Sequence, residues 1–271
     1  MASRFSPRPA VPARWWVSLL GGALLVIQAG CASGQLTVSL APPFLSTTPV
    51  SSVLWVEPFQ TLDAQRWRDV EVRGKTQYDV ITLDGQSCLR AQSHEGASIL
   101  VQQIRYRPDT YAWLSWQWRV DQPVDGEGLT RKDGSDAAAR VYVYFNSRGL
   151  PWQKRNIDYV WSRSLPVGTI LDSAYSAESK IIVVESGPEA LGKWRAVLRN
   201  IQQDYERCFY RAPPDVVAIG VMSDTDNTKG QALTYFDNLM VSRSSAASAP
   251  AFAASQEPAG LADRGPSEIA Q

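Results

Sequence analysis

The chain has 271 residues, with 27 Lys and Arg against 27 Asp and Glu, so no basic surplus points to a nucleic-acid partner. It has one histidine, His94, and three cysteines, which excludes a zinc site built on several histidines or on four cysteines. A serine hydrolase would depend on His94, and the polar turn Gln92-Ser93-His94-Glu95-Gly96 reads as a solvated loop.

In chain order, the first element is an export signal. Arg4, Arg8 and Arg14 stand in a stretch without acids, Trp15 to Ile27 is apolar, and small residues follow. That pattern predicts a secretory signal peptide over 1–30, because the apolar run is shorter than the roughly 20 residues that span a bilayer. Ala29-Gly30-Cys31 resembles the bacterial lipobox, although Gln28 replaces the usual leucine. The resemblance implies a lipid on Cys31 that anchors the protein to the membrane. Ala32 and Ser33, by likeness to known sorting signals, imply an outer-membrane lipoprotein facing the periplasm.

Residues 31–52 are rich in Ser, Thr and Pro and read as a tether. Residues 244–271, mostly Ala, Ser, Pro and Gly, bury too little to offset ordering and read as a disordered tail. Between them, 53–243 reads as one domain. Period-two patterns predict strands over Leu114–Val120, Arg140–Phe145, Asp158–Ser162, Lys180–Glu185, Val216–Met222 and Ala232–Val241. Asp84-Gly85, Asp133-Gly134, Ser186-Gly187-Pro188 and Pro213-Pro214 punctuate them. Asn200 caps one expected helix carrying Ile201, Tyr205 and Cys208. The expectation is an all-β antiparallel sandwich of jelly-roll type with one short helix. Cys88 and Cys208 read as buried thiols or as a bridge that an oxidising compartment would permit.

Three sets of residues carry chemistry. The cluster Ser223-Asp224-Thr225-Asp226-Asn227-Thr228 ends an apolar strand. It suits calcium ligation, hydrogen bonds to sugar hydroxyls, or a turn held by Asx bonds; an EF-hand is excluded because its glycine and closing glutamate are missing. The outward positions Gln117 and Arg119, with Arg140, Tyr142 and Tyr144, would line one sheet surface if their strands are neighbours. Tyr159 and Trp161 share another face. Aromatic rings beside planar polar groups suit a carbohydrate. The scattered acids Glu57, Asp136, Asp158, Glu185, Asp204 and Asp237 would serve a glycosidase only if two of them faced each other.

The segments Ala138-Ala139-Arg140-Val141-Tyr142-Val143-Tyr144-Phe145, Tyr159-Val160-Trp161, Val183-Val184-Glu185-Ser186-Gly187, Asp204-Tyr205 and Val221 to Thr228 resemble the bacterial domain-of-unknown-function family 3047. The likeness runs from Leu54 to Val241, with Asp158 where an asparagine would be expected. At the level of fold, Glu57-Pro58-Phe59 with Trp67, and Tyr235-Phe236-Asp237-Asn238-Leu239, are similar to the terminal strands of galactose-binding-like jelly rolls. Many carbohydrate-binding modules have that fold. This second likeness implies a structural calcium held by Glu57 and Asp237.

The expected function is a non-catalytic envelope domain that binds a glycan or another polar ligand through Arg119, Arg140, Trp161, Asp224, Asp226 and Asn227. The rivals are a glycan hydrolase or lyase using Glu185 and Asp224 as its acid pair, and a structural partner of other envelope proteins.

Overall fold

The structure is a computed structural model that describes residues 51–146 and 155–248. The expected leader, the lipid on Cys31, nearly all of the tether and the tail from 249 onward lie outside these residues. The start of the expected tail, Ser245–Ser248, forms a 3-10 turn. Among the described residues no helix is long and apolar enough to cross a membrane.

Two sheets make a jelly-roll sandwich. The first has the order β11 (Arg195–Asn200), β6 (Trp113–Gln122), β13 (Gln231–Ser242), β4 (Gln86–His94), β3 (Thr76–Leu83), with β1 (Val53–Glu57) also paired to β13. The second has the order β2 (Trp67–Arg73), β5 (Ala97–Tyr106), β12 (Val216–Asp224), β7 (Arg140–Phe145), β8 (Asn156–Ser162), β10 (Ser176–Ser186), β9 (Ile170–Ser173). Every pair is antiparallel except β8 with β10, which run parallel. The second sheet is therefore mixed at this one pair within an otherwise antiparallel sandwich.

Alternation builds the core. Leu114, Trp116, Trp118 and Val120 of β6 are buried, as are Val141, Val143 and Phe145 of β7 and Ile157, Tyr159 and Trp161 of β8. Trp116 meets Trp118 edge-on at 5.5 Å, and Trp118 lies 6.2 Å from Trp161. Each fully buried large side chain contributes about 1.5–3 kcal/mol relative to exposure. The tight Asp84-Gly85 turn between β3 and β4 puts both residues at positive φ, 53° and 82°, as a two-residue hairpin of matching twist requires.

The helix α1 (Ile201–Phe209) packs Ile201, Tyr205 and Cys208 inward. Its cap is Asn200, whose side-chain oxygen accepts the Gln203 N–H at 3.0 Å. Tyr205 meets Phe145 at 4.5 Å between ring centroids, so the helix joins the same core. Cys88 and Cys208 are buried free thiols.

Candidate functional site

With Val141, Val143 and Phe145 turned inward, β7 presents Arg140, Tyr142 and Tyr144 on the outer face of the second sheet. Register sets their neighbours: Asp158 stands opposite Tyr142 on β8, and Met222 and Gly220 stand opposite Arg140 and Tyr142 on β12. On an open sheet Arg140 would be solvated. It is 3% exposed, because the segment 123–139 between β6 and β7 folds back across this face. Leu129 and Ala137 pack there on Val160, Ile181 and Val183. Gly128 N–H donates to the Gly134 carbonyl at 2.7 Å. A Cβ on Gly134 would come within 3.0 Å of the Gly128 nitrogen, so this crossing needs glycine.

Arg140 holds the fold-back in place. Its Nε donates to Asp224 Oδ1 at 2.7 Å, one terminal nitrogen donates to Asp158 Oδ2, and the other to the Ser135 carbonyl at 2.8 Å. Asp224 Oδ1 also accepts the Ala137 N–H at 3.0 Å. Burial opposes charge on Arg140, but Asp158 and Asp224 outweigh it and keep the guanidinium firmly protonated. Asp136 ties the other end of the segment. Its carboxylate accepts Thr228 N–H at 2.6 Å, Thr228 Oγ1–H at 2.7 Å and Asn227 Nδ2–H at 2.8 Å.

Asp136, Asp224 and Asp226 bring one carboxylate oxygen each within 4.8 Å of one another. This set does not fit a cation. The buried Arg140 guanidinium donates to Asp224 Oδ1 at 2.7 Å and already supplies the positive charge that a cation would bring. A proton relieves the crowding instead. Burial, with the Asp136 charge added, pushes Asp224 up to about 7. Burial and then Asp136 raise Asp226 as well, and burial raises Asp158 against the pull of Arg140.

Beside this wall opens a cavity of about 360 Å³. Its lining includes Val72 and Arg73 of β2, Tyr142 of β7, Met222 of β12, Ser173 of β9, and Tyr175, Asp226 and Asn227. Residues of both edge strands meet around it, although seven flat strands would hold β2 and β9 about 29 Å apart. The sheet therefore curls around the cavity. Tyr175 Oη donates to Asn227 Oδ1 at 2.5 Å and closes one rim. Asp158, 2% exposed, lines the cavity with its carboxylate turned to Arg140 and Tyr142. Tyr142 and Tyr144 stack at 5.6 Å and 15°, both half-buried.

The family model described as "Protein of unknown function (DUF3047)" matches residues 65–240. The chain belongs to that family. No functionally curated protein matches the sequence. Among solved structures, the chain is similar to the family 30 carbohydrate-binding module of a cellulosomal cellulase of Clostridium thermocellum. The identity is 10%, the match covers 71% of this chain and 99% of that one, and the TM-score is 0.41. It is also similar to the xyloglucanase domain of NopAA, a type three effector from Sinorhizobium fredii, in complex with cellobiose, at 10% identity, 69% and 99% coverage and a TM-score of 0.40. A third is the K3 adhesin domain of Lys-gingipain from Porphyromonas gingivalis, at 12%, 70%, 98% and 0.36. Likenesses at such identities concern the fold alone.

The structure brings Arg140, Asp224, Asp226 and Asn227 together around the cavity. It does not bring Arg119 there. β6 and β7 lie in different sheets, so Arg119 is on the opposite outer face, donating to Asp121 at 2.6 Å and Asp84 at 2.9 Å. Trp161 is 1% exposed and faces the core, so no ligand reaches it. Arg140 lines the cavity with its guanidinium held by three internal partners. Glu185 accepts Arg195 Nε at 2.8 Å and is not part of the cavity lining, so the suggested Glu185–Asp224 acid pair is not assembled. Glu57 accepts Phe59 N–H at 3.1 Å and Trp67 Nε1–H at 2.9 Å. Asp237 is pushed up to about 7, first by burial, with the Glu57 charge adding to it, so these two acids are neighbours. The residues that sequence reasoning undervalued are Asp136, Asp158 and Tyr175. The small-residue run Ser135-Asp136-Ala137-Ala138-Ala139 was the available signal of a buried segment.

Two outcomes follow from the geometry. Arg140→Ala strands two buried carboxylates and should cost about 3–5 kcal/mol of folding stability, read as a lowered urea midpoint. A midpoint equal to wild type would contradict the tie. Separately, the raised carboxylates hold protons in the folded state that the unfolded chain releases near pH 4. Protons bound more by the folded form make stability fall as pH rises, here from about 4 to about 7. Asp224→Asn should flatten part of that fall in urea titrations across the range; an unaltered pH profile would refute it.

Proposed function

We propose that the cavity on the outer face of the second sheet binds a glycan without transforming it. The observation that carries the reading is the cavity lining, in which the half-buried Tyr142 ring stands among the polar groups of Arg73, Asp226, Asn227 and Tyr175. A sugar ring lies against an aromatic face while its hydroxyls meet the polar groups around it. Asp226, Asn227 and Tyr175 offer these polar contacts at the rim. Both acids beside Arg140, Asp158 and Asp224, are tied to its guanidinium, which suits binding better than acid–base turnover. A glycan array followed by calorimetry tests this. Tyr142→Ala should lose roughly tenfold in affinity, ~1.4 kcal/mol, while keeping a cooperative melt. Absence of binding to every glycan, or unchanged affinity in Tyr142→Ala, would refute the site.

The domain is proposed to work in the cell envelope, anchored through Cys31. The product made in a Gram-negative host should then lack residues 1–30 and carry acyl chains on Cys31, seen as added mass after detergent extraction. A soluble periplasmic form with an unmodified Cys31 would remove the anchor.

Glu57 and Asp237 are proposed to hold a structural calcium. The support is their proximity: two buried carboxylates whose charges oppose each other gain from a hard cation with oxygen ligands. A ligand bound only by the folded state stabilises it, by about 2.7 kcal/mol at a hundredfold excess over Kd. Melts with calcium and with chelator should separate, and superimposed melts from a metal-free sample would exclude the ion.

A further inference from the structure

The cavity beside Arg140 has a neighbour on the same face. A second cavity, of about 370 Å³, is lined by Val70, Val101, Gln103, Tyr144, Asn146 and Ala218 among others. The two share Ile99. Tyr142 lines the first and Tyr144 the second, and the two rings are stacked. On β12, Gly220 stands opposite Tyr142 on one side and Val101 on the other. A Cβ there would lie 3.0 Å from Ile99 Cγ2 and 3.4 Å from Val101 Cγ2, so glycine lets Ile99 settle low on the sheet where the halves meet.

We infer that the two cavities form one groove along β12 that takes an internal stretch of a straight polysaccharide; this rests on the glycan-binding reading of the first cavity. Length is the first reason. From Asp224 to Val217 the strand runs about 23 Å at ~3.3 Å per residue, room for several pyranose rings in line. Continuity is the second, because Ile99 borders both halves and the stacked rings of Tyr142 and Tyr144 line one half each. Polar lining is the third: Ser173, Asp226 and Asn227 in the first half and Gln103, Arg105 and Asn146 in the second offer hydrogen-bond partners to hydroxyls along the whole length. A ligand confined to one cavity would leave the other half of this face without a role.

Calorimetry with linear β-1,4-linked glucose, mannose and N-acetylglucosamine oligosaccharides, two to six residues long, tests the groove. Affinity for one ladder should rise by roughly tenfold or more from disaccharide to the longest member. Tyr144→Ala should remove that gain while leaving disaccharide binding in place. A melt of Tyr144→Ala close to wild type excludes unfolding as the cause. Equal affinity along the ladder, or a gain insensitive to Tyr144→Ala, overturns the inference. If an array glycan binds but no ladder member does, the extended groove fails and glycan binding stands. If no glycan of any kind binds, both readings fail.

Discussion

A guanidinium buried on the outside of a sheet is the constraint that organises this molecule. The outer face of an antiparallel sheet is ordinarily wet, and a cation placed there needs no partner. Here the segment 123–139 covers it, and an isolated buried charge costs far more than a domain of marginal stability can tolerate. Asp158 on β8 and Asp224 on β12 supply the counter-charges from the two strands that flank β7. The Ser135 carbonyl and the Ala137 N–H then join the covering segment to the same network. One ion trio therefore fixes three strands and a long connection at once.

The cleft follows from that arrangement. Asp136 fastens Asn227 and Thr228, and Tyr175 reaches Asn227 from the β9–β10 turn. The rim is thus held by side chains that are themselves tied down, and a site held before its ligand arrives loses less on ordering. The cost is visible in the acids. Four carboxylates crowd a small volume, and burial raises Asp158, Asp224 and Asp226 together. A fold selected only for stability gains little from such a cluster, since apolar replacements of buried ion pairs are often as stable or more so. Here the cluster lies beside a cavity, where the proposed binding role would use its polar groups.

Much of the fold was legible in the sequence. Strict alternation marked β6 and β7, and Asn200 marked the start of α1, because burial on one side and capping chemistry both leave local patterns. The first half of the domain was harder to read. β2 is an edge strand exposed along nearly its whole length; Val70 and Val72 alternate with charged residues but face outward, and only Trp67 is buried. Neighbour relations were not legible at all. Parity set Arg119 and Arg140 outward correctly, but period two says nothing about which sheet a strand joins, and the two arginines ended on opposite faces. Trp161 shares its parity with Tyr159 and so went to the core with it, leaving Asp158 to face the site. The meeting of Asp136 with Asn227 joins residues far apart in sequence and depends on a segment whose only local signal is its run of small side chains.

The central claim is that binding occurs on the outer face of the second sheet, over the strands that Arg140 joins. Amide chemical-shift mapping of the isotope-labelled protein, titrated with a bound oligosaccharide, tests this most directly. Binding there concentrates the shifts at Ile99, Tyr142, Gly220 and Met222 and in the segment Asp224 to Thr228, and leaves the face bearing Arg119 and Tyr235 unperturbed. Shifts confined to Arg119, Tyr235 and their neighbours would contradict it.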